Sequence, residues 1–171
     1  DTVTLRTSAL RLVITKRAFG LAAYRTDGSV IFEDDKDDSG QSRGFLQLND
    51  CFLVSRSMGL HDPVYGLGQK TGASNRRGRK LVLWNTDILA PEVLKQQRVF
   101  EADVSLLGKD PKFDPYYTSI PFFYHARLDA SGDAKVAGFF IDNSYKASFD
   151  FTERNRYRYL FCGGQYTEYV F

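Results

Sequence analysis

Leu21-Ala22-Ala23-Tyr24-Arg25-Thr26-Asp27-Gly28-Ser29-Val30-Ile31-Phe32-Glu33 holds two short apolar-rich runs around a turn. Asp27-Gly28 supplies the positive φ that a tight connection between antiparallel strands needs, so the stretch reads as a β-hairpin. Upstream, Val3–Thr7 and Leu10–Lys16 alternate apolar and polar residues at period two, the pattern of strands buried on one face. Downstream, strand character recurs at 45–49, 51–55, 64–68, 120–127, 135–141, 147–151, 157–161 and 166–171. Asp62-Pro63 and Asp129-Ala130-Ser131-Gly132-Asp133 punctuate these runs as turns. One segment, Pro91–Phe100, carries a helical signal, with Pro91 suited to a first turn. Many short strands with frequent turn signals and almost no helical periodicity predict an all-β fold, a sandwich or a barrel.

The chain has 171 residues, enough for one domain with a core. A (β/α)8 barrel alone needs roughly 250 residues, so a sandwich plus a barrel does not fit. The sequence starts at Asp1 and ends on the strand-like Tyr169-Val170-Phe171, from which we expect a single domain, residues 1–171, cut from a longer protein. With 43% hydrophobic and 26% charged residues the composition is that of a globular domain, which argues against disorder. The 14 Phe and 10 Tyr favour β structure, because planar side chains pack well on a pleated surface. A net charge of +2 is too small to imply a nucleic-acid partner. The basic run Arg76-Arg77-Gly78-Arg79-Lys80 is expected to be a solvated loop between strands. No apolar run approaches the roughly 20 residues of a membrane span, and no membrane partner is expected. Cys51 and Cys162 are too few for a disulfide scaffold and lack metal spacing; one bridge between them is compatible with the count but not fixed by it.

Candidate chemistry is sparse. The acidic stretch Glu33–Ser42 invites a calcium-loop reading, but the ordered ligand pattern and closing Glu of such a loop are missing, so an exposed loop is expected. Gly66, Gly68 and Gly72 match neither the dinucleotide fingerprint nor the P-loop, and glycine in a strand marks a bulge or a close backbone approach. Carboxylate pairs such as Asp142 with Asp150, or Asp34 with Asp37, can be drawn, but nothing marks either as catalytic. His61 precedes a turn, and His125 follows an apolar run that half-buries it. No Gly-x-Ser-x-Gly nucleophile elbow occurs.

Four spaced motifs carry a resemblance. They are Val64-Tyr65-Gly66-Leu67-Gly68-Gln69-Lys70-Thr71-Gly72, then Leu83-Trp84-Asn85-Thr86-Asp87, then Asp114-Pro115-Tyr116-Tyr117-Thr118-Ser119-Ile120-Pro121-Phe122-Phe123, then Gly138-Phe139-Phe140-Ile141-Asp142-Asn143-Ser144. Together they resemble the amino-terminal domain of glycoside hydrolase family 31, the α-glucosidases and α-xylosidases. The resemblance implies an antiparallel β-sandwich of the galactose mutarotase-like (supersandwich) kind. It also implies a following (β/α)8 barrel, absent from this chain, that holds an Asp nucleophile and an Asp acid/base, with neither metal nor organic cofactor. No catalytic residue is then expected here. The partners implied are the protein's own carboxy-terminal catalytic barrel and an α-linked glycoside or oligosaccharide.

In that family the Trp-Asn-x-Asp segment starts a loop that reaches over the barrel's mouth, so the resemblance assigns substrate binding to Asp87. An ionised carboxylate there accepts hydrogen bonds from sugar hydroxyls. An Asp that merely caps a following turn is the alternative. Some members place a Thr two positions after this Asp, where this chain has Leu89. The stretch from Ile88 to Phe113 is longer than in compact bacterial relatives, and Gln165 in Gly163-Gly164-Gln165-Tyr166 replaces an acid. Mutarotases of the same fold use a histidine with a carboxylate, but neither histidine here has a matching motif. Two other readings stand beside the enzyme fragment. One is a free-standing carbohydrate-binding module using Trp84, Tyr116 or Tyr117 as a platform, and the other is a structural domain whose loop never touches sugar.

Overall fold

A computed structural model describes residues 1–70, 72–85 and 117–171. Asp87, Tyr116 and the segment 91–100, for which a helix is expected, lie outside the described residues. The described residues form strands and turns without a helix. In chain order the strands are β1 (Thr2–Arg6), β2 (Leu10–Thr15), β3 (Gly20–Arg25), β4 (Val30–Glu33), β5 (Phe45–Leu48), β6 (Cys51–Ser57) and β7 (Val64–Gly66). They continue as β8 (Lys80–Leu83), β9 (Phe122–Leu128), β10 (Ala134–Ile141), β11 (Ala147–Asp150), β12 (Arg156–Phe161) and β13 (Glu168–Val170). All pairings between them are antiparallel, in three sheets ordered β1-β2-β3-β4, β13-β10-β9-β7 and β5-β6-β12-β11-β8. The expected all-β sandwich is the fold observed, and Asp27-Gly28 turns β3 into β4, with Gly28 at φ 85°.

Alternation fixes the layers. In β12 the residues Tyr157, Tyr159 and Phe161 are buried while Arg156, Arg158 and Leu160 lie outward. Across the interior, Phe123 of β9 meets Phe149, Tyr157 and Tyr159 with ring centroids 5.9, 5.6 and 6.4 Å away, mostly edge to face. Phe123 also stacks on Phe139 of β10 at 5.1 Å. Such aromatic pairs add about 0.5–1.5 kcal/mol each beyond their buried area. The outer face of the β13-β10-β9-β7 sheet is aromatic too. The cross-strand partners Tyr65 and Tyr124, and Phe122, Phe140 and Tyr169, share it, with Phe171 beside Phe122.

The glycines of the first motif act through their missing side chains. A Cβ on Gly66, at φ 121°, would lie 2.6 Å from the Phe122 carbonyl oxygen, and one on Gly68 would lie 2.6 Å from that of Thr118. The close backbone approach expected of them is therefore present, and it pins β7 against the segment leading into β9.

Two expectations are corrected. Asp34 and Asp35 are not part of an exposed loop, being 6% and 7% exposed. Asp34 accepts a hydrogen bond from the Leu21 amide and lies 3.6 Å from the Arg56 guanidinium; Asp35 pairs with Arg43 and Arg156. Nor is the basic run solvated. Arg76 is buried and donates to the Gly66 and Ala73 carbonyls, and Arg77 donates to those of Gly59, Asp62 and Arg154. These guanidinium groups supply donors to carbonyls of the surrounding turns and of the β7 end, which ties the basic run to the sheet beneath it. Lys80, at the end of that run, opens β8, a strand the sequence reading leaves out.

The first sheet joins the sandwich through Arg56, which is 1% exposed on β6. Its guanidinium holds Glu168 of β13 by two bonds of 2.9 and 2.5 Å and lies 4.0 Å from the Phe32 ring centroid of β4. Tyr159 and Tyr166 donate their hydroxyls to the same Glu168 carboxylate at 2.9 and 2.7 Å. At the sheet edge, Arg25 donates to the Val136 carbonyl of β10 at 2.7 Å. Removing one member of a buried ion pair leaves an uncompensated charge. Arg56→Ala should therefore destabilise the chain by about 3–5 kcal/mol in urea unfolding, and Glu168→Gln on that background should recover part of the loss.

Candidate functional site

A cleft of about 740 Å³ opens at one end of the sandwich, where β8 ends and β10, β12 and β13 begin or finish. Leu83, Trp84 and Asn85 form one side, Ser119 and Pro121 another, and Asp142–Tyr145 with Gly164, Gln165 and Thr167 the third. Three of the sequence motifs, far apart in the chain, thus meet on one rim. The first motif does not: Val64–Gly66 forms β7 in the flank of the sheet.

The rim is built from its backbone outward. Pro121 accepts a hydrogen bond from the Ile141 amide at 2.9 Å, and Thr167 accepts one from the Asp142 amide at 2.9 Å, which fixes the end of β10 between its neighbours. Asn143 then acts as a clamp. Its side-chain amide donates to the carbonyls of Gly163 and Gln165 at 3.0 and 3.1 Å, and its side-chain oxygen accepts from the Tyr145 amide at 2.8 Å. The two glycines are required by that closeness. A Cβ on Gly163, at φ 142°, would meet the Tyr145 ring at 2.5 Å, and one on Gly164, at φ 79°, would meet Asn143 Nδ2 at 2.6 Å. Gln165 contributes its carbonyl to this clamp, a role for which the side chain is immaterial. Asp142 and Trp84 are exposed on the rim, so the cleft offers an acceptor and an aromatic edge.

Asp87, the residue the sequence singles out, lies outside the described residues, two positions after Asn85 of the cleft wall. Neither drawn carboxylate pair forms a catalytic arrangement. Asp150 sits at the end of β11 away from the cleft, held by Thr152 and Lys80. Asp34 is tied to Arg56, whereas Asp37 caps its own turn by accepting from Ser39 and Gln41. Among the described residues no group of three or more His, Cys, Asp or Glu side chains is arranged to hold a metal ion. Cys51 and Cys162 are not bridged. Trp84 and Tyr117 are exposed as a platform would need, but only Trp84 faces the cleft.

Sequence reasoning missed a buried histidine–carboxylate pair. His125 is 1% exposed rather than half-buried, and its Nε2 lies 2.8 Å from Asp62 Oδ2. The carboxylate also accepts from the Gly59 and Leu128 amides at 2.7 and 3.1 Å. Burial alone would raise the Asp62 carboxyl, but these three donors outweigh it and pull it down to about 2. Burial, with Arg127 and Arg77 nearby, pushes the His125 imidazole below its ordinary value despite Asp62. The pair ties the turn before β7 to β9 and faces the core, so it is not the sugar-facing pair of a mutarotase. Adjacency could not have revealed it, since 63 residues separate the two.

The profile of the Glycosyl hydrolase 31 N-terminal galactose mutarotase-like domain matches residues 1–150. The chain belongs to that family. Alpha-glucosidase 2 of Bacillus thermoamyloliquefaciens is 32% identical to this family 31 domain over 172 aligned positions, which take in 100% of the domain and 18% of the relative. The chain thus spans about a fifth of the length of that curated relative. Among solved structures, a family 31 dextranase from Flavobacterium johnsoniae, complexed with isomaltotriose, superposes with a TM-score of 0.73 at 26% identity, covering 99% of the domain and 17% of that enzyme. The α-1,4-glucan lyase of Gracilariopsis lemaneiformis superposes with a TM-score of 0.72 at 18% identity, over 99% of the domain and 19% of the lyase, and so shares the fold.

The sign of the pH dependence follows from the pair. Both groups bind fewer protons folded than unfolded, so each stabilises the fold above its unfolded pKa and loses that contribution on acidification. Unfolding midpoints should fall first below about pH 6.5 as His125 is taxed, and again below about pH 4 as Asp62 is, the second step being on the order of 2 kcal/mol. In Asp62→Asn the lower step should shrink by about that amount in a pH series of urea titrations, leaving the part that comes from Asp35 and Asp150, which are also held below the ordinary carboxylate value.

Proposed function

We propose that this domain is the non-catalytic amino-terminal sandwich of a retaining exo-α-glycosidase, which hydrolyses terminal α-linked glucose or xylose. In this reading the nucleophile and acid/base are carboxylates on a (β/α)8 barrel that follows it in the full-length protein. The domain packs on the barrel and sends the loop after Trp84-Asn85 to the rim of the substrate pocket. There Asp87 accepts hydrogen bonds from hydroxyls of the α-linked substrate. The observation that carries the reading is the convergence of three of the four family motifs on one cleft, with Asn85 in its wall two residues before Asp87. The aromatic outer face of the β13-β10-β9-β7 sheet supports the packing half of it. Five aromatic side chains on one sheet face, joined at its edge by Phe171, make the kind of surface that proteins keep for an interface.

The exposed Trp84 on the cleft favours one other reading, a carbohydrate-binding module that acts without a barrel. Trp84 is the single tryptophan, so its fluorescence separates the two. In the full-length enzyme, Asp87→Ala should lower kcat/KM on an aryl α-glycoside by roughly 10–100-fold, the worth of a charged hydrogen bond. The 171-residue chain alone should show no hydrolysis and no change in Trp84 emission on titration with isomaltotriose. Turnover by the chain, or an unaltered kcat/KM in Asp87→Ala, would sink the proposal; a saturable emission change would favour the binding module.

A further inference from the structure

We propose that Cys51 and Cys162 are a thiol–disulfide exchange site, forming a reversible cross-strand disulfide on the outer face of the five-stranded sheet. The register of β6 and β12 sets Leu53 opposite Leu160 and Phe52 opposite Phe161, and one residue further it sets Cys51 opposite Cys162. Phe52 and Phe161 point inward and stack at 5.2 Å, so the two cysteines next to them in the chain point outward together.

The kind of pair matters, because opposed residues whose amides face away from each other are the closer ones. The Cys162 amide donates to the Lys146 carbonyl at 3.0 Å, away from β6. Cys51 closes the two-residue turn Asn49-Asp50 with Leu48, which directs its own amide and carbonyl to β5, away from β12. Both observations make Cys51 and Cys162 a non-hydrogen-bonded pair, whose Cα atoms stand about 4.5 Å apart. That lies inside the window of roughly 4.4–6.8 Å that a disulfide spans. Cys162 is exposed and Cys51 half-buried, so an oxidant reaches Cys162 first.

With a small-molecule disulfide as oxidant the step balances. The Cys162 thiolate attacks one sulfur of oxidised glutathione and releases one glutathione thiolate. The Cys51 thiolate then attacks the Cys162 sulfur, the internal S–S bond forms, and the second glutathione thiolate leaves. Two cysteine thiols are oxidised, one disulfide is reduced, and two protons leave the protein thiols. The bond sits beside Gly163 and Gly164, so it would brace the strand end from which the cleft rim springs.

The test incubates the chain with oxidised glutathione at neutral pH, blocks remaining thiols, and maps the peptides by mass spectrometry. A Cys51–Cys162 linked peptide should form in the native chain at a yield about tenfold or more above that in the urea-unfolded chain, and dithiothreitol should reverse it. Cys51→Ser should leave Cys162 as a stable glutathione adduct. Two separate glutathione adducts without an internal link, two unmodified thiols, or a linked yield no higher than in urea would each overturn the proposal.

Discussion

Arg56 is the constraint on which the architecture turns. A guanidinium cannot lose its charge, so burying it to 1% exposure obliges the fold to bring carboxylates to it. Those carboxylates come from different sheets: Asp34 just after β4, and Glu168 on β13. The Phe32 and Phe139 rings lie against the same group at 4.0 and 5.3 Å, one from the first sheet and one from the second. A shift of any of the three sheets would strand a charge in the core. The arrangement specifies where the sheets sit more than it adds to their stability, as buried ion pairs are apt to do.

The cleft inherits its position from that frame. Glu168 is the first residue of β13, so holding it also holds Gln165, Tyr166 and Thr167 just upstream, two of which line the rim. Tyr166 joins the two roles, its hydroxyl on Glu168 and its ring 5.2 Å from Phe52. The rim loop is therefore short of freedom at both ends, pinned by Asn143 on one side and by the Arg56 cluster on the other. This is how a loop of polar residues can keep a defined shape at the rim of a cleft.

Much of this was legible in residue order. Short apolar runs bounded by turn residues located twelve of the strands, the first two by period-two alternation, and Asp27-Gly28 and the 129–133 turn placed hairpins by local backbone preference alone. The motif glycines were readable as close approaches for the same local reason. What escaped was decided across distance. β8 was passed over because Lys80 follows three arginines, and only the pairing of Leu81 with Phe149 makes it a strand. Asp34 and Asp35 looked like loop acids because Arg56 and Arg156 lie far along the chain. The stretch Phe122-Phe123-Tyr124 is aromatic at every position, so its pattern could not say that Phe123 faces the core and Tyr124 the outside. The cleft was hidden for a related reason: its three walls share no local signal, and only the sheet order places them together.

One detail at the sheet edge bears on how the domain behaves in company. β9 pairs β10 from Ala134 to Phe140, whereas β13 covers only Phe139 to Ile141 with one further rung at Gly138. The remaining stretch of β10 would offer a template for a foreign strand, but its Val136 carbonyl is already taken by Arg25, and Lys135 beside it is engaged by Asp27. An incoming backbone would have to evict a guanidinium and part an ion pair before making its first bond. The β3–β4 hairpin thus also acts as a gatekeeper, one that keeps the open edge of this sheet from stacking edge to edge into aggregates.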